Sequence, residues 1–423
     1  MFGQVAGRIG PTHAAARLFG FVLAICLLFT SGAVSAATAT VAGSAASPAA
    51  DESAPFRRPV KVIAPERIKV KTALGEALIP AFINCNIDKP NAGITRAVIM
   101  VHGRLRDADK YFDLAMRSAR GSAAASDTVI IAPQFLSTSD AARHNLDANV
   151  ARWNVDALLG GEAAKAPFAL SSFEVIDAII GKLSDRNHFP NLERIVVAGH
   201  SGGAQVIQRY AVVGRADQML VKAGLQPYAD GMEPASAKRS TMRVRYVVAN
   251  PSSYLYFDAT RPHATERCAD VNRWRYGFTD PVAYVQGEAK TLEQRYLTRR
   301  VIYLLGGADV DPHHAALDKT CMGEAQGANR LERGNAYFAH VTKRAKMQNI
   351  TLRHTRIEVP NIAHDADRMF NSTCGKAALF DAPGCEMKLG ESMTAGVASA
   401  AAVTPVAPGT TVSSSPTAAA AKQ

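Results

Sequence analysis

The sequence predicts an α/β fold with a mostly parallel central sheet and helices on both faces. Three observations predict it. Six short segments are almost continuous in Val, Ile and Leu, helical periodicity fills the intervals, and one serine hemmed in by glycines joins a strand-like run to a helix-like one. Strands buried on both faces of a parallel sheet read as continuous apolar runs, and strand–helix alternation is how such a sheet is wound.

Taken in order, the chain of 423 residues begins with Arg8 and Arg17, no acidic residue, and the apolar run LFGFVLAICLLF. Val34 and Ala36 follow at the −3 and −1 positions that a signal peptidase selects. Residues 1–36 are therefore expected to be a cleaved secretory signal, too short in its apolar core for a membrane span. Cys26 follows Ile25 rather than a small residue, which argues against a lipid-anchored form. The expectation is a protein secreted or delivered to the periplasm, with no transmembrane segment in the mature chain. Residues 37–55 and 391–423 are Ala/Ser/Thr/Pro tracts that cannot bury enough surface to offset ordering, a linker and a disordered tail. Residues 56–390 then form one domain without internal repeats.

The formal charge is +11. Lys and Arg are scattered rather than clustered and no nucleic-acid motif accompanies them, so nucleic-acid binding is not expected.

The strand candidates are 96–103, 127–134, 194–200, 244–251, 299–307 and 352–360. Between two of them, Phe173, Ile176, Ile180 and Leu183 recur at helical spacing, and Ser171 with Glu174 has the spacing of a capping box. Residues 251–298 interrupt the rhythm. They are too many for a crossover and carry Tyr254, Tyr256, Phe257, Trp274, Tyr276, Phe278 and Tyr284. Extra core packing and a cap over a pocket both account for such a segment. We take it as a cap insertion after the candidate 244–251, counted as strand 6 of the whole sheet, with Tyr254, Tyr256 and Trp274 as substrate contacts.

The chemistry centres on Gly199-His200-Ser201-Gly202-Gly203. A serine between a strand and a helix, flanked by glycines, is the context of a nucleophile elbow: the backbone turns so sharply that a Cβ at either flank would crowd it. The helix that follows aims its first amides at an incoming oxyanion. His102-Gly103 ends an earlier strand, where the amide of Arg104, or failing that Leu105, would pair with that of Gly202 as an oxyanion hole. His102 itself is expected to pack under the loop. A serine needs a base, and the base an acid to orient it. LLGGADVDPHH offers Asp309 and Asp311, and VPNIAHDADRMF offers His364, each just past a strand candidate. Asp309 stands three residues after the glycine that ends the strand and Asp311 is biased to an extended backbone by Pro312, and the residues alone leave both open as the acid.

From about Ala97 to Phe380 the chain resembles the α/β-hydrolase superfamily, through HG, GHSGGAQ, ANPSSYLY, GGADVDP, QGANRLERG and NIAHDADRMF. The resemblance implies a Ser201–Asp309–His364 triad, an acyl-enzyme route and no cofactor. The expected activity is that of a serine hydrolase acting on a small or polymeric carboxylic ester. A peptidase, amidase or thioesterase with the same triad, or a binding protein that keeps only the fold, are the alternatives. The chain departs from the lipase pattern in carrying Arg104-Leu105-Arg106 where a glycine-rich loop would stand. Those two arginines could clamp an acidic substrate group or pair with local carboxylates. His313-His314 lacks any metal-ligand spacing, so no metal site is expected.

Of six cysteines, Cys85, Cys268, Cys321, Cys374 and Cys385 survive export, and no C-x-x-C occurs. Disulfides are expected between Cys374 and Cys385, closing a short loop after the His364 segment, and between Cys268 and Cys321, tying the insertion to the loop after the acid. Cys85 is left as a buried thiol.

Overall fold

The computed structural model describes residues 54–228, 240–266 and 268–394. The expected signal peptide, nearly all of the linker and the tail beyond Thr394 lie outside these residues.

Among the described residues twelve strands are formed: β1 (Glu66–Thr72), β2 (Gly75–Ile83), β3 (Arg96–Val101), β4 (Thr128–Pro133), β5 (Leu136–Ser137), β6 (Arg152–Trp153), β7 (Arg194–His200), β8 (Gln226–Tyr228), β9 (Thr241–Ala249), β10 (Arg300–Gly306), β11 (His354–Val359) and β12 (Ser392–Thr394). The main sheet runs β1-β2-β4-β3-β7-β9-β10-β11-β12, with β8 alongside the start of β9. Its pairs are parallel from β4 onward, and only β1 with β2 and β2 with β4 are antiparallel. All six expected strands are present. The β1–β2 hairpin was not among them, and the sheet continues to Thr394, past the Gly390 where the domain was expected to end.

Ten α-helices among the described residues connect these strands: α1 (Ala108–Arg120), α2 (Thr138–Arg143), α3 (Ser172–Leu183), α4 (Gly202–Val213), α5 (Ala216–Lys222), α6 (Ala289–Thr298), α7 (Cys321–Glu324), α8 (Arg330–Met347), α9 (Ala366–Asn371) and α10 (Thr373–Phe380). Alternation along the strands sorts them into two layers. Ala97, Ile99 and Val101 of β3, with Ile195 and Val197 of β7, pack on the face that carries α3, α4, α6 and α8. Val98, Met100, Val196 and Ala198 point the other way, toward α1, α9 and α10. The capping box of α3 forms as the sequence indicated. Ser171 Oγ accepts from the Phe173 amide, and Glu174 accepts from the Ser171 amide.

Both expected disulfides are present, Cys268–Cys321 and Cys374–Cys385. Cys85 is a free thiol but only half-buried, and that burial pushes its pKa up.

The described residues of 251–298 do not wall the cavity that holds Ser201. Tyr254 and Tyr256 are fully buried, and both pack on Tyr337 of α8, with ring centroids 4.4 and 5.0 Å away. Trp274 is partly buried, its indole N–H donating to the Gly160 carbonyl at 2.8 Å. The apolar bodies of these rings satisfy the face beside α8 and α4, so the aromatics counted as substrate contacts work as core and buttress instead.

Candidate active site

β7 ends at His200 and α4 starts at Gly202, so Ser201 alone makes the corner. It has φ 56° and ψ −119°, a conformation that side-chain-bearing residues seldom adopt. Its amide donates to the Ala249 carbonyl at the end of β9, 2.9 Å away, which anchors the corner to the neighbouring strand. The glycines are there for space. A Cβ on Gly203 would lie 2.1 Å from the Val101 carbonyl oxygen, and one on Gly199 would lie 2.5 Å from the Gly203 carbonyl carbon. Helix α4 thus starts hard against the ends of β3 and β7, and only glycine allows it.

Asp309 follows β10 and His364 follows β11. Asn250, just past β9, laces their loops: its side chain accepts from the Gly306 amide at 2.7 Å and donates to the Ala363 carbonyl at 3.3 Å. The Ala308 amide in turn donates to the Ile362 carbonyl, 3.0 Å away. The result is a hydrogen-bonded line. His364 Nδ1 stands 2.8 Å from Asp309 Oδ2, and His364 Nε2 stands 2.9 Å from Ser201 Oγ. An ionised carboxylate can only accept, so Nδ1 carries the imidazole proton and Nε2 is free to accept from the serine hydroxyl.

Burial alone would raise the Asp309 pKa, but the His364 hydrogen bond and the Arg330 guanidinium outweigh it and hold the carboxyl below its ordinary range. His364 is held below the usual imidazole value, first by burial and then by the Arg330 charge, against the opposing pull of Asp309. His200, whose ring centroid is 4.5 Å from that of His364, is kept neutral mainly by burial.

The two backbone amides expected to face an oxyanion are neighbours. A Cβ placed on Gly202 would be 3.1 Å from the Arg104 nitrogen. As the first residue of α4, Gly202 has no helical carbonyl to donate to. The loop that carries Arg104 is braced from below by His102, which is fully buried. Its Nδ1 donates to the Gly103 carbonyl at 2.8 Å, and its Nε2 accepts from the Phe135 amide at 2.9 Å. Leu105 is exposed and turns its side chain to the cavity.

Both arginines of that loop bond to local carboxylates. Arg104 makes a two-armed contact with Asp156, at 2.8 and 3.0 Å, and its guanidinium lies 3.7 Å from the centroid of the Phe56 ring. Arg106 is buried against Asp140, 2.6 Å from Oδ2, and donates to the carbonyls of Phe56 and Arg58. It is a structural clasp that draws the start of the domain over the site.

Ser201 and His364 open into a cavity of about 930 Å³, whose apolar wall includes Phe56, Leu105, Leu114 and Ala316. The cations at its rim are paired, Arg117 with Asp367 at 2.6 Å and Lys110 with Asp107 at 3.5 Å, and Asp113 and Asp365 line it as well. Asp311 is exposed, and its carboxylate accepts from the His313 amide at 2.8 Å. Among the described residues no group of three or more potential metal ligands comes together.

Two contributors were not identified from the sequence. Arg330 bonds to Asp309 at 3.2 Å, and His314 packs edge-on to His364 with centroids 5.0 Å apart. Arg330 lies within QGANRLERG, which carried part of the resemblance yet was given no role. An arginine at a helix start ordinarily reads as a solvated charge.

No protein-family model matches the chain, and no curated protein matches its sequence. Solved structures do. Poly(aspartic acid) hydrolase-1 from Sphingomonas sp. KT-1 aligns at 20% identity over 75% of this chain and 100% of its own, with a TM-score of 0.51. A poly(3-hydroxybutyrate) depolymerase from Bordetella parapertussis aligns at 18% identity over 76% of this chain and 91% of its own, with a TM-score of 0.49. Likeness at this level speaks to architecture. The chain has the α/β-hydrolase fold.

Proposed function

We propose that this chain is an exported serine hydrolase that cleaves a carboxylic ester through Ser201, His364 and Asp309. The observation that carries the reading is the pair of hydrogen bonds, 2.9 and 2.8 Å, that joins the three side chains at the ends of three parallel strands. In this reading Ser201 Oγ attacks the ester carbonyl as His364 Nε2 takes its proton. The amides of Gly202 and Arg104 receive the oxyanion. His364 then gives the proton to the departing alkoxide, leaving an acyl-enzyme. Water, deprotonated by the same imidazole, attacks the acyl carbon, and collapse releases the acid and restores Ser201. Asp309 holds the imidazole tautomer and offsets the imidazolium charge.

The cavity favours an uncharged substrate. Its cations are already paired with Asp156, Asp367 and Asp107, so it lacks the surplus of positive charge that a polyanion such as poly(aspartic acid) would need. The apolar wall suits an aliphatic or aromatic acyl group. Export is supported by the basic and apolar pattern of residues 1–36 and by two disulfides, which persist in oxidising compartments.

The test combines labelling and turnover. A fluorophosphonate probe is expected to modify Ser201, and Ser201→Ala should abolish both labelling and the hydrolysis of p-nitrophenyl esters while thermal unfolding is unchanged. An alanine variant that kept most of its activity would sink the assignment. Peptide anilides run beside the esters decide between ester and amide, and faster anilide cleavage would make the chain an amidase.

A further inference from the structure

Arg330 is 1% exposed although it opens α8. A cation in the first turn stands against the helix dipole, so something else must retain it there. Among the described residues its guanidinium hydrogen-bonds to groups at or beside the catalytic line. Nη1 donates to Asp309 Oδ1 at 3.2 Å, Nε donates to Ser252 Oγ at 3.0 Å, and Nη2 donates to His314 Nδ1 at 3.3 Å. The Ala316 amide also donates to His314 Nδ1, at 3.1 Å, so the His314 proton resides on Nε2. One side chain therefore ties the loop after β9 to the loop after β10. It also occupies the carboxylate oxygen of Asp309 that His364 does not use.

We propose that Arg330 is a positioning residue for the hydrolysis: it fixes the Asp309 carboxylate with Oδ2 turned to His364 and holds His314 as its Nε2–H tautomer beside the base. The proposal rests on the triad reading given above. Without the guanidinium, the carboxylate could rotate about its terminal torsion, and the imidazole would lose its fixed orientation. A permanent cation at this place also opposes protonation of His364. His314 opposes it in the same sense, and the remaining groups facing that ring act differently. Asp309 favours the imidazolium, His200 is neutral, and the nearest cations of α1, Lys110 and Arg117, are offset by Asp107 and Asp367.

Charge and geometry are separated by two variants assayed on a p-nitrophenyl ester. Arg330→Gln removes both. It should lower kcat by about 10- to 100-fold with KM within about twofold, and should move the acid limb of kcat/KM upward by about half a unit. Arg330→Lys keeps the charge but not the fork, so kcat should still fall while the acid limb returns to its wild-type position. Wild-type kcat and an unmoved acid limb in both variants would overturn the proposal. If Arg330→Gln fails to fold, Arg330→Lys decides alone, and an unchanged kcat there is refutation. In a Ser201→Ala background the His364 imidazole can be titrated by NMR without turnover. Addition of Arg330→Gln should raise its pKa, and no shift refutes the role of Arg330. Activity persisting in Ser201→Ala refutes the triad instead.

Discussion

Asp309 and Asp311 stand two residues apart on one loop, and only Asp309 reaches His364, 2.8 Å from its Nδ1. Asp311 is exposed and bonds back to its own loop through the His313 amide. Asp309→Asn would present an amide to Nδ1 and favour the wrong tautomer. It is expected to lower kcat roughly 10³- to 10⁴-fold, with a smaller effect on KM. Asp311→Asn should leave kcat within about twofold, as a surface change does. Steady-state kinetics of both variants on one ester makes the comparison, and the reverse order would make Asp311 the acid.

The pH dependence follows from His364. A base must be neutral to accept the serine proton, and burial with the Arg330 charge lowers its pKa. Lowering widens the range in which the ring is neutral, so kcat/KM should hold as pH falls past the ordinary imidazole value of about 6.5 and decline only below it. Asp309, itself depressed, stays ionised across that window. A kcat/KM profile whose acid limb lay above about 7 would contradict this reading.

Two glycines should respond to alanine in opposite directions. At Gly203 a Cβ would meet the Val101 and His102 carbonyl oxygens at 2.1 and 2.8 Å, both backbone atoms that cannot swing aside. Gly203→Ala should destabilise by about 2 kcal/mol or more and lower activity with it. Gly181, within α3, leaves its Cβ 3.8 Å from Met219 Sδ, an ordinary contact. Gly181→Ala should therefore stabilise by about 0.5–1 kcal/mol, through helix propensity. Thermal or urea denaturation measures both, and a stabilised Gly203→Ala protein would refute the packing argument.

Much of this architecture was written in local patterns. β4 and β10 are buried along their whole length, so their apolar runs were unmistakable. The hairpin β1–β2 escaped notice because β1 alternates, with only Ile68 and Val70 buried among charged neighbours. An edge strand with one wet face carries half the signal of a central one. Ser201, Asp309 and His364 were legible as a candidate triad because each follows a strand and the elbow needs its glycines. Arg330 was not, since its partners lie 16 to 78 residues away in the chain and only the fold assembles them. The aromatics of 251–298 misled for the converse reason: composition reports that rings will be sheltered, not whether core or ligand shelters them.

Asn250 gives the site a mechanical character. Because one amide side chain holds the Gly306 nitrogen and the Ala363 carbonyl, the segments that carry Asp309 and His364 share a fastening. Release of that one side chain would loosen both segments, so their local opening is expected to be coupled. Changes made at both ends of that fastening should be non-additive, because the second removes a restraint that the first has already released.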